Sequence, residues 1–479
     1  MKSFSVKAAL PLILGLLIWM LPVPEGLTAN AWTYFALFIG VVTALILEPI
    51  PAAASGFIGV TLAAALLLVP TAAAPAPIKS GDVIKWALSG FSNGTVWLIF
   101  IAFMFAMGYD KTGLGRRIAL GLVKRMGKKT LGLGYAVAFA DLALAPFMPS
   151  NTARSGGTIF PVIKNIPALY DSGPDKEPRK IGAYLMWTAL ATTCVTSSMF
   201  ITALAPNLLA LQLAEKTAKV TFTWMEWCIG FLPVGLILFL IVPYLTYLIY
   251  PPTMKESAGA AKWAGEELEK MGPVSSKEWT MLATALGALT LWIGFTEQFD
   301  ATTVAMMALA AMLLTKVITW DDLLANKQAW NVLVWFGTLV ALADGLNKVG
   351  FLKWFAAKAA AAMAGFTPLA LVIGLVVVFF LCHYMFASLT AHATALLPVF
   401  LASAMNVPGV PMKTLAFLLC ASLGLMGIIT PFATGPSPIY FGSGFIKPKD
   451  FWILGFVFGL VFLGVFLGVG VPWFRMMNP

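Results

Sequence analysis

Pro149-Ser150-Asn151-Thr152-Ala153-Arg154 and Ala387-Ser388-Leu389-Thr390-Ala391-His392 are variants of one motif, Ser-x-Thr-Ala followed by a basic residue. Each sits inside an otherwise apolar stretch, and the two lie 238 residues apart. Hydroxyls and a cation at membrane depth are costly to bury, so they mark a function. Their repetition in two halves points to one central site for an anion.

The surroundings of these motifs fix the class of protein. The chain has 479 residues, of which 60% are hydrophobic and 11% charged, and its mean hydropathy is +0.88. Many runs approach the ~20 residues needed to cross a ~30 Å hydrocarbon layer. The expected fold is an all-α polytopic membrane protein. A barrel would instead show short alternating strands. The net charge of +10 comes largely from short loops between spans and is not a nucleic-acid signal. Cys194, Cys228, Cys382 and Cys420 all lie in apolar segments without metal-ligand spacing and read as small buried hydrophobes. The start of the chain lacks a cleavage site or an Arg/Ser-rich leader, so its apolar run reads as a first span.

Spans are expected near 9–23, 31–49, 54–70, 88–110, 181–214, 229–250, 278–296, 301–317, 331–347, 412–446 and 451–474. Two other apolar stretches, 131–167 and 368–406, carry the polar motifs near their middles. After Thr152 only about 12 residues precede Lys164, roughly 18 Å of helix. That is too short to cross, so the chain must enter, turn near Ser150–Gly157 and leave on the same side. Pro146, Pro149, Gly156 and Gly157 are the expected breakers. This gives about 11 spans and two re-entrant hairpins.

With the N-terminus inside, the inner segments hold about 21 Lys/Arg and the outer segments about nine. That bias predicts a cytoplasmic N-terminus and an external C-terminus. Internal matches predict repeats of opposite orientation. Lys111-Thr112-Gly113-Leu114 pairs with Lys348-Val349-Gly350-Phe351, and Leu204-Ala205-Pro206-Asn207 with Thr434-Gly435-Pro436-Ser437. The expected plan is a helix over 1–30, a first repeat over 31–250, a polar linker over 251–277 and a second repeat over 278–479. The first repeat would hold scaffold spans to about 110, the hairpin 131–167 and the broken span 181–214. The second would hold the hairpin 368–406 and the broken span 412–446.

Ser150, Asn151, Thr152, Ser388 and Thr390 supply donors at the tips, beside the positive N-terminal ends of the following half-helices. Such a set suits a carboxylate, and it also suits plain capping of the same helices. Arg154 cannot reach a membrane edge and needs an anion. Asp141 is the protein carboxylate that could provide it, and a transported anion is the alternative. His392 holds the corresponding place in the second tip, and its reference pKa near neutrality makes it a candidate pH sensor. His383 has no such counterpart and reads as structural. The Pro/Gly-broken run Thr430–Pro438, with Thr434, Gly435 and Pro436, would expose backbone groups to the tips. Thr202–Asn207 is the weaker partner, contributing Asn207.

These paired tips, with the run Thr-Pro-Phe-Ala-Thr-Gly-Pro-Ser-Pro-Ile-Tyr-Phe-Gly-Ser-Gly over 430–444, resemble the divalent anion/sodium symporter family of di- and tricarboxylate transporters. They are most similar to its branch of citrate/succinate antiporters and 2-oxoglutarate/malate translocators. The resemblance spans nearly the whole chain. It implies a homodimer in the lipid bilayer, a scaffold and an elevator-like transport domain, no enzyme activity and no cofactor. Sodium-coupled members carry Ser-Asn-Thr at both tips, whereas here Leu389 replaces the second Asn and removes an oxygen ligand. Arg154 and His392 would stand near the sodium positions. The resulting expectation is sodium-independent, obligatory exchange of 2-oxoglutarate, malate or succinate, with Arg154 neutralised by its cargo and no metal bound. Sodium- or proton-coupled uptake, or citrate/succinate antiport, is the alternative. The lack of a transit leader favours a bacterial inner membrane.

Overall fold

A computed structural model of the chain describes residues 2–70, 78–295, 297–363 and 365–477. The described residues are helical, with a single isolated bridge between Lys129 and Glu256 in place of any strand. Seven helices among them are long and apolar enough to cross a membrane: Ala29–Leu47, Ser80–Thr112, Thr130–Phe147, Trp224–Ile249, Lys327–Lys348, Pro368–Met385 and Pro448–Met477. Shorter apolar helices, among them Ala52–Ala65, Ala301–Leu314 and Leu389–Met405, accompany them, while the expected spans 181–214 and 278–296 are helical but belong to neither group. Burial is the reason the pattern gives helices only. Backbone groups in hydrocarbon must be bonded within their own segment.

Helix ends follow the sequence signals. Thr223 with Glu226, and Ser275 with Glu278, form capping boxes at the starts of Trp224–Ile249 and Ser276–Gly294, satisfying donors that would otherwise lack partners. Two apolar cores result. One joins Ala29–Leu47, Ala52–Ala65 and Ser80–Leu88 to Lys327–Lys348 through Tyr34, Val60, Trp86 and Leu342. Within it the Tyr34 hydroxyl donates to the Leu342 carbonyl at 2.6 Å. The larger core surrounds both hairpins and both broken spans. Its centre is the helix Gly182–Met199, every residue of which is buried.

The first hairpin is built from Thr130–Leu144, a break over Ala145–Ser150 and a return arm that starts at Asn151. The tip lies against the middle of the span 182–218, because the Ala205 N–H donates to the Pro149 carbonyl at 2.7 Å. The expected site of the turn needs correction, however. Gly156 and Gly157 do not break the chain. They lie inside Thr152–Ile159, a helical segment wound wide in π fashion, whose following residue Phe160 bonds back to the Ser155 carbonyl. Pro146 and Pro149 alone fall in the break.

The second hairpin comprises Pro368–Cys382, a turn over His383–Ser388 and Leu389–Met405. Both broken spans are interrupted as read. Gly182–Met199 and Ala205–Ala218 flank one gap, and Met412–Leu425 and Ser437–Gly442 flank the other. The linker 251–277 is more ordered than a polar loop. It folds into the helix Ala258–Met271, which packs on Leu114–Met126 through Arg116 and Glu267 at 2.8 Å.

Candidate functional site

Arg154 is fully buried, and every one of its N–H groups has a protein acceptor. Nε donates to Asp141 Oδ2 at 3.1 Å. Nη1 donates to the carbonyls of Met148 at 2.7 Å and Ala203 at 2.8 Å. Nη2 faces the hydroxyls of Ser197 at 3.1 Å, Thr193 at 3.3 Å and Thr196 at 3.4 Å. The Thr196 hydroxyl also donates to Asp141 Oδ2. Six oxygens thus enclose one guanidinium, drawn from the hairpin arm, the hairpin break and the first broken span. The expectation that a cargo anion neutralises Arg154 is overturned: Asp141 balances its charge, and no N–H is left over. The physical reason is position. Asp141 lies on the entering arm, and the wide winding after Thr152 turns Arg154 back towards that arm and away from the tip.

The hydroxyls around the guanidinium come from a feature the motif reading passed over. The buried helix Gly182–Met199 carries six serine and threonine residues, Thr188, Thr192, Thr193, Thr196, Ser197 and Ser198, and Thr193, Thr196 and Ser197 are the ones that face Arg154. The signal was present as the run Thr192-Thr193-Cys194-Val195-Thr196-Ser197-Ser198, five hydroxyls within seven residues of an apolar span, three of which meet the guanidinium.

The rest of the first tip faces the second half. Asn151 Nδ2 donates to Thr434 Oγ1 at 2.8 Å. Thr152, partly exposed, lies so close to Gly435 that a Cβ there would stand 1.8 Å from Thr152 Oγ1. Glycine at 435 is therefore required by close approach. Ser150 caps its own helix by accepting from the Ala153 N–H at 3.2 Å. One residue beyond Arg154, the Ser155 hydroxyl bonds the Tyr440 hydroxyl at 2.8 Å. Pro436 is buried beside this contact zone, and Ser437 Oγ ties the loop back to the Gly427 carbonyl at 3.2 Å.

The second tip is organised differently. Ser388 caps Leu389–Met405 by accepting from the Ala391 N–H at 3.3 Å. Thr390 is buried one turn ahead of Thr394. His392 is completely buried, and neither ring nitrogen has a hydrogen-bond partner. Its ring is surrounded by Phe379 at 4.3 Å, Phe386 at 5.0 Å and His383 at 5.0 Å between centroids. His383 Nε2 bonds the Ala433 carbonyl at 2.8 Å. Asn207 turns inwards to its own span, donating to Ser197 O at 2.7 Å and Phe200 O at 3.3 Å, and leaves Oδ1 without a partner.

Among the residues read from sequence, the fold therefore brings Asn151, Thr152, Thr434 and Gly435 into direct contact. Ser150 and Pro436 adjoin them. Arg154 and Asn207 are held behind the tip in the first broken span. Ser388, Thr390 and His392 form a second group on the other hairpin, linked to the first through His383 and the loop Thr430–Pro436.

Helices interrupted in mid-course, with the first hairpin tip bonded to the broken run of the second half, suit a multi-pass membrane transport protein. The comparisons give the family. The description of the sodium:sulfate symporter transmembrane region matches residues 2–478, and the chain belongs to that family. It is 47% identical over 478 residues to a citrate/succinate antiporter of Escherichia coli K12, covering 98% of each chain. It is likewise 47% identical over 469 residues to the L-tartrate/succinate antiporter of the same strain, covering 97% of this chain and 96% of that one. Among solved structures, the Alcanivorax borkumensis YdaH transporter shares the fold. The TM-score is 0.58 at 17% identity, over 88% of this chain and 97% of the other.

Proposed function

We propose that this protein exchanges dicarboxylates across a bacterial inner membrane without coupling to sodium. The observation that carries the reading is the six-oxygen cage around Arg154. Carbonyls and hydroxyls converging from a hairpin break and a broken span are the donor set of a hard cation. Here a guanidinium that cannot dissociate fills it, and Asp141 sets the net charge near zero. No releasable cation is left there to couple uptake to a sodium gradient. The driving force is then the counter-gradient of a second organic acid, in keeping with the antiport named for both relatives.

The cargo would lie between the two tips, held by Ser150, Asn151, Thr152, Thr434 and Gly435 on one side and Ser388, Thr390 and His392 on the other. An empty carrier would have to move with buried polar groups, His392 above all, left unpartnered, at a cost of about 1–3 kcal/mol per group. Loading relieves that cost and favours exchange over empty return. Succinate, malate and 2-oxoglutarate fit this reading, and citrate is the larger cargo that the first relative suggests.

An elevator-like movement of the hairpins and broken spans against a scaffold, within a homodimer, suits the same geometry. Two cavities flank opposite ends of the helix Gly94–Thr112. One, of about 250 Å³, is lined by Thr95, Ile201 and Thr202. The other, of about 580 Å³, is lined by Asp110, Gly157 and Thr158. Each has one wall on that helix and one on the first hairpin or first broken span.

Counterflow in proteoliposomes tests the proposal. Labelled succinate should enter vesicles preloaded with succinate, malate or citrate, at equal rates with sodium or with potassium outside, and should not enter empty vesicles. Equal entry into empty vesicles, or entry that demands sodium, overturns it.

A further inference from the structure

Sequence spacing pairs Arg154 with His392, yet their hydrogen bonds do not correspond. In the first half, the carbonyl of Ala203, inside the break of the span, receives the Arg154 guanidinium at 2.8 Å. The register that matches Leu204-Ala205-Pro206-Asn207 with Thr434-Gly435-Pro436-Ser437 sets Ala203 against Ala433. In the second half, the Ala433 carbonyl is met at 2.8 Å by His383 Nε2, from the entering side of the hairpin turn. The ring of His392 has no hydrogen bond among the described residues.

We infer that His383, not His392, is the fixed basic group that fills the break of the second span, leaving both nitrogens of His392 for the cargo. Three observations converge on this. A carbonyl can only accept, so Nε2 of His383 carries a proton and the tautomer is fixed by the contact. The same loop is gripped at consecutive residues from both hairpins, Ala433 by His383 and Thr434 by Asn151 at 2.8 Å. His383 therefore positions the loop on which Gly435 approaches Thr152. Finally, the wholly buried His392 ring has both nitrogens without a partner among the described residues, whereas His383 lacks one at Nδ1 only, so the larger outstanding hydrogen-bonding capacity is at His392, and a carboxyl group arriving between the tips would meet it. His383 is thus a positioning residue, and His392 the group that touches the cargo. The inference rests on the reading that the tips hold a dicarboxylate.

The chain contains only two histidines, which makes the test direct. Full-length protein labelled with ¹⁵N-histidine should show one ring in the Nε2–H tautomer, unmoved by succinate and lost in His383→Gln. The other ring should shift when succinate is added and be lost in His392→Gln. In transport, His383→Gln keeps an amide N–H where Nε2 stood, so its KM for succinate should stay within about threefold of wild type. His383→Leu removes the donor and should raise KM at least tenfold at equal abundance in the membrane. A His383 ring that shifts with succinate while His392 stays still overturns the inference, as does equal impairment of the Gln and Leu variants. Absence of wild-type counterflow would instead bring down the transport reading, while the ligand-free spectrum still reports the His383 tautomer.

Discussion

The two hairpin tips carry nearly the same motif and solve opposite problems. The first encloses its basic residue: Arg154 has six oxygens around it and a carboxylate at 3.1 Å. The second leaves its basic side chain bare: the His392 ring sits among Phe379, Phe386 and His383 with no hydrogen bond among the described residues. Equivalent positions in sequence thus hold a fully bonded guanidinium in one half and an unbonded, buried imidazole in the other. The difference teaches that a buried charge is stable once its partners are all supplied by the fold. Unpartnered buried atoms occur elsewhere as well, Asp141 Oδ1 and His383 Nδ1 among them, so it is the place of His392 beside the polar motif of the second tip that makes it the proposed contact.

The sharpest break of this comparison targets the anchor. Removing one member of a buried ion pair leaves an uncompensated charge and costs about 3–5 kcal/mol. Asp141→Asn should therefore lower the thermal unfolding midpoint in detergent far more than any change at the second tip. Asp141→Leu combined with Arg154→Met, which removes both charges, should recover most of the loss. A double variant no more stable than Asp141→Asn would show that the cage does more than hold a charge pair.

Between the tips, Gly435→Ala places a methyl group where Thr152 Oγ1 stands. Transport should fall at least tenfold with little change in abundance. Gly442→Ala, which meets nothing within 4 Å, should behave as wild type. Equal counterflow rates for the two variants would mean that Thr152 and Gly435 need not stay in contact.

The smallest expected change in stability is at the open tip. His392→Phe exchanges an unpartnered buried ring for an apolar one of similar shape. The unfolding midpoint should hold or rise slightly, because no hydrogen bond is lost, while succinate counterflow falls sharply. A marked loss of stability would show that His392 is bonded within the protein after all.

Much of this was readable from residues alone. The helix breaks over Ala145–Ser150 and His383–Ser388, and the interruptions near 204 and 434, fall where polar motifs and prolines interrupt apolar sequence, whereas the entering arms Thr130–Phe147 and Pro368–Met385 are each long enough to cross, which the motif reading did not anticipate. The partner of Arg154 was not readable. Asp141 precedes it by 13 residues on the opposite arm, and whether the two meet depends on how the intervening turn is wound. Gly156-Gly157 looked like a breaker because glycine weakens an α-helix, but the pair sits within a wider one. His383 resembled an ordinary core histidine, since its acceptor is a backbone carbonyl 50 residues away that leaves no trace in side-chain patterns.

The wide winding of Thr152–Ile159 has a consequence of its own. Within it, two adjacent residues point at different halves of the protein, Arg154 at the Gly182–Met199 helix and Ser155 at Tyr440. A π segment accommodates a residue that an α-helix would not, and each residue of α-helix turns the side chains by about 100°. Losing a single amino acid here would reset the helical phase of all that follows, swinging Thr158 off Asp110, to which its hydroxyl now donates at 3.3 Å. Deleting one residue of this octet is therefore expected to abolish counterflow, whereas deleting one from an outer loop should leave it measurable.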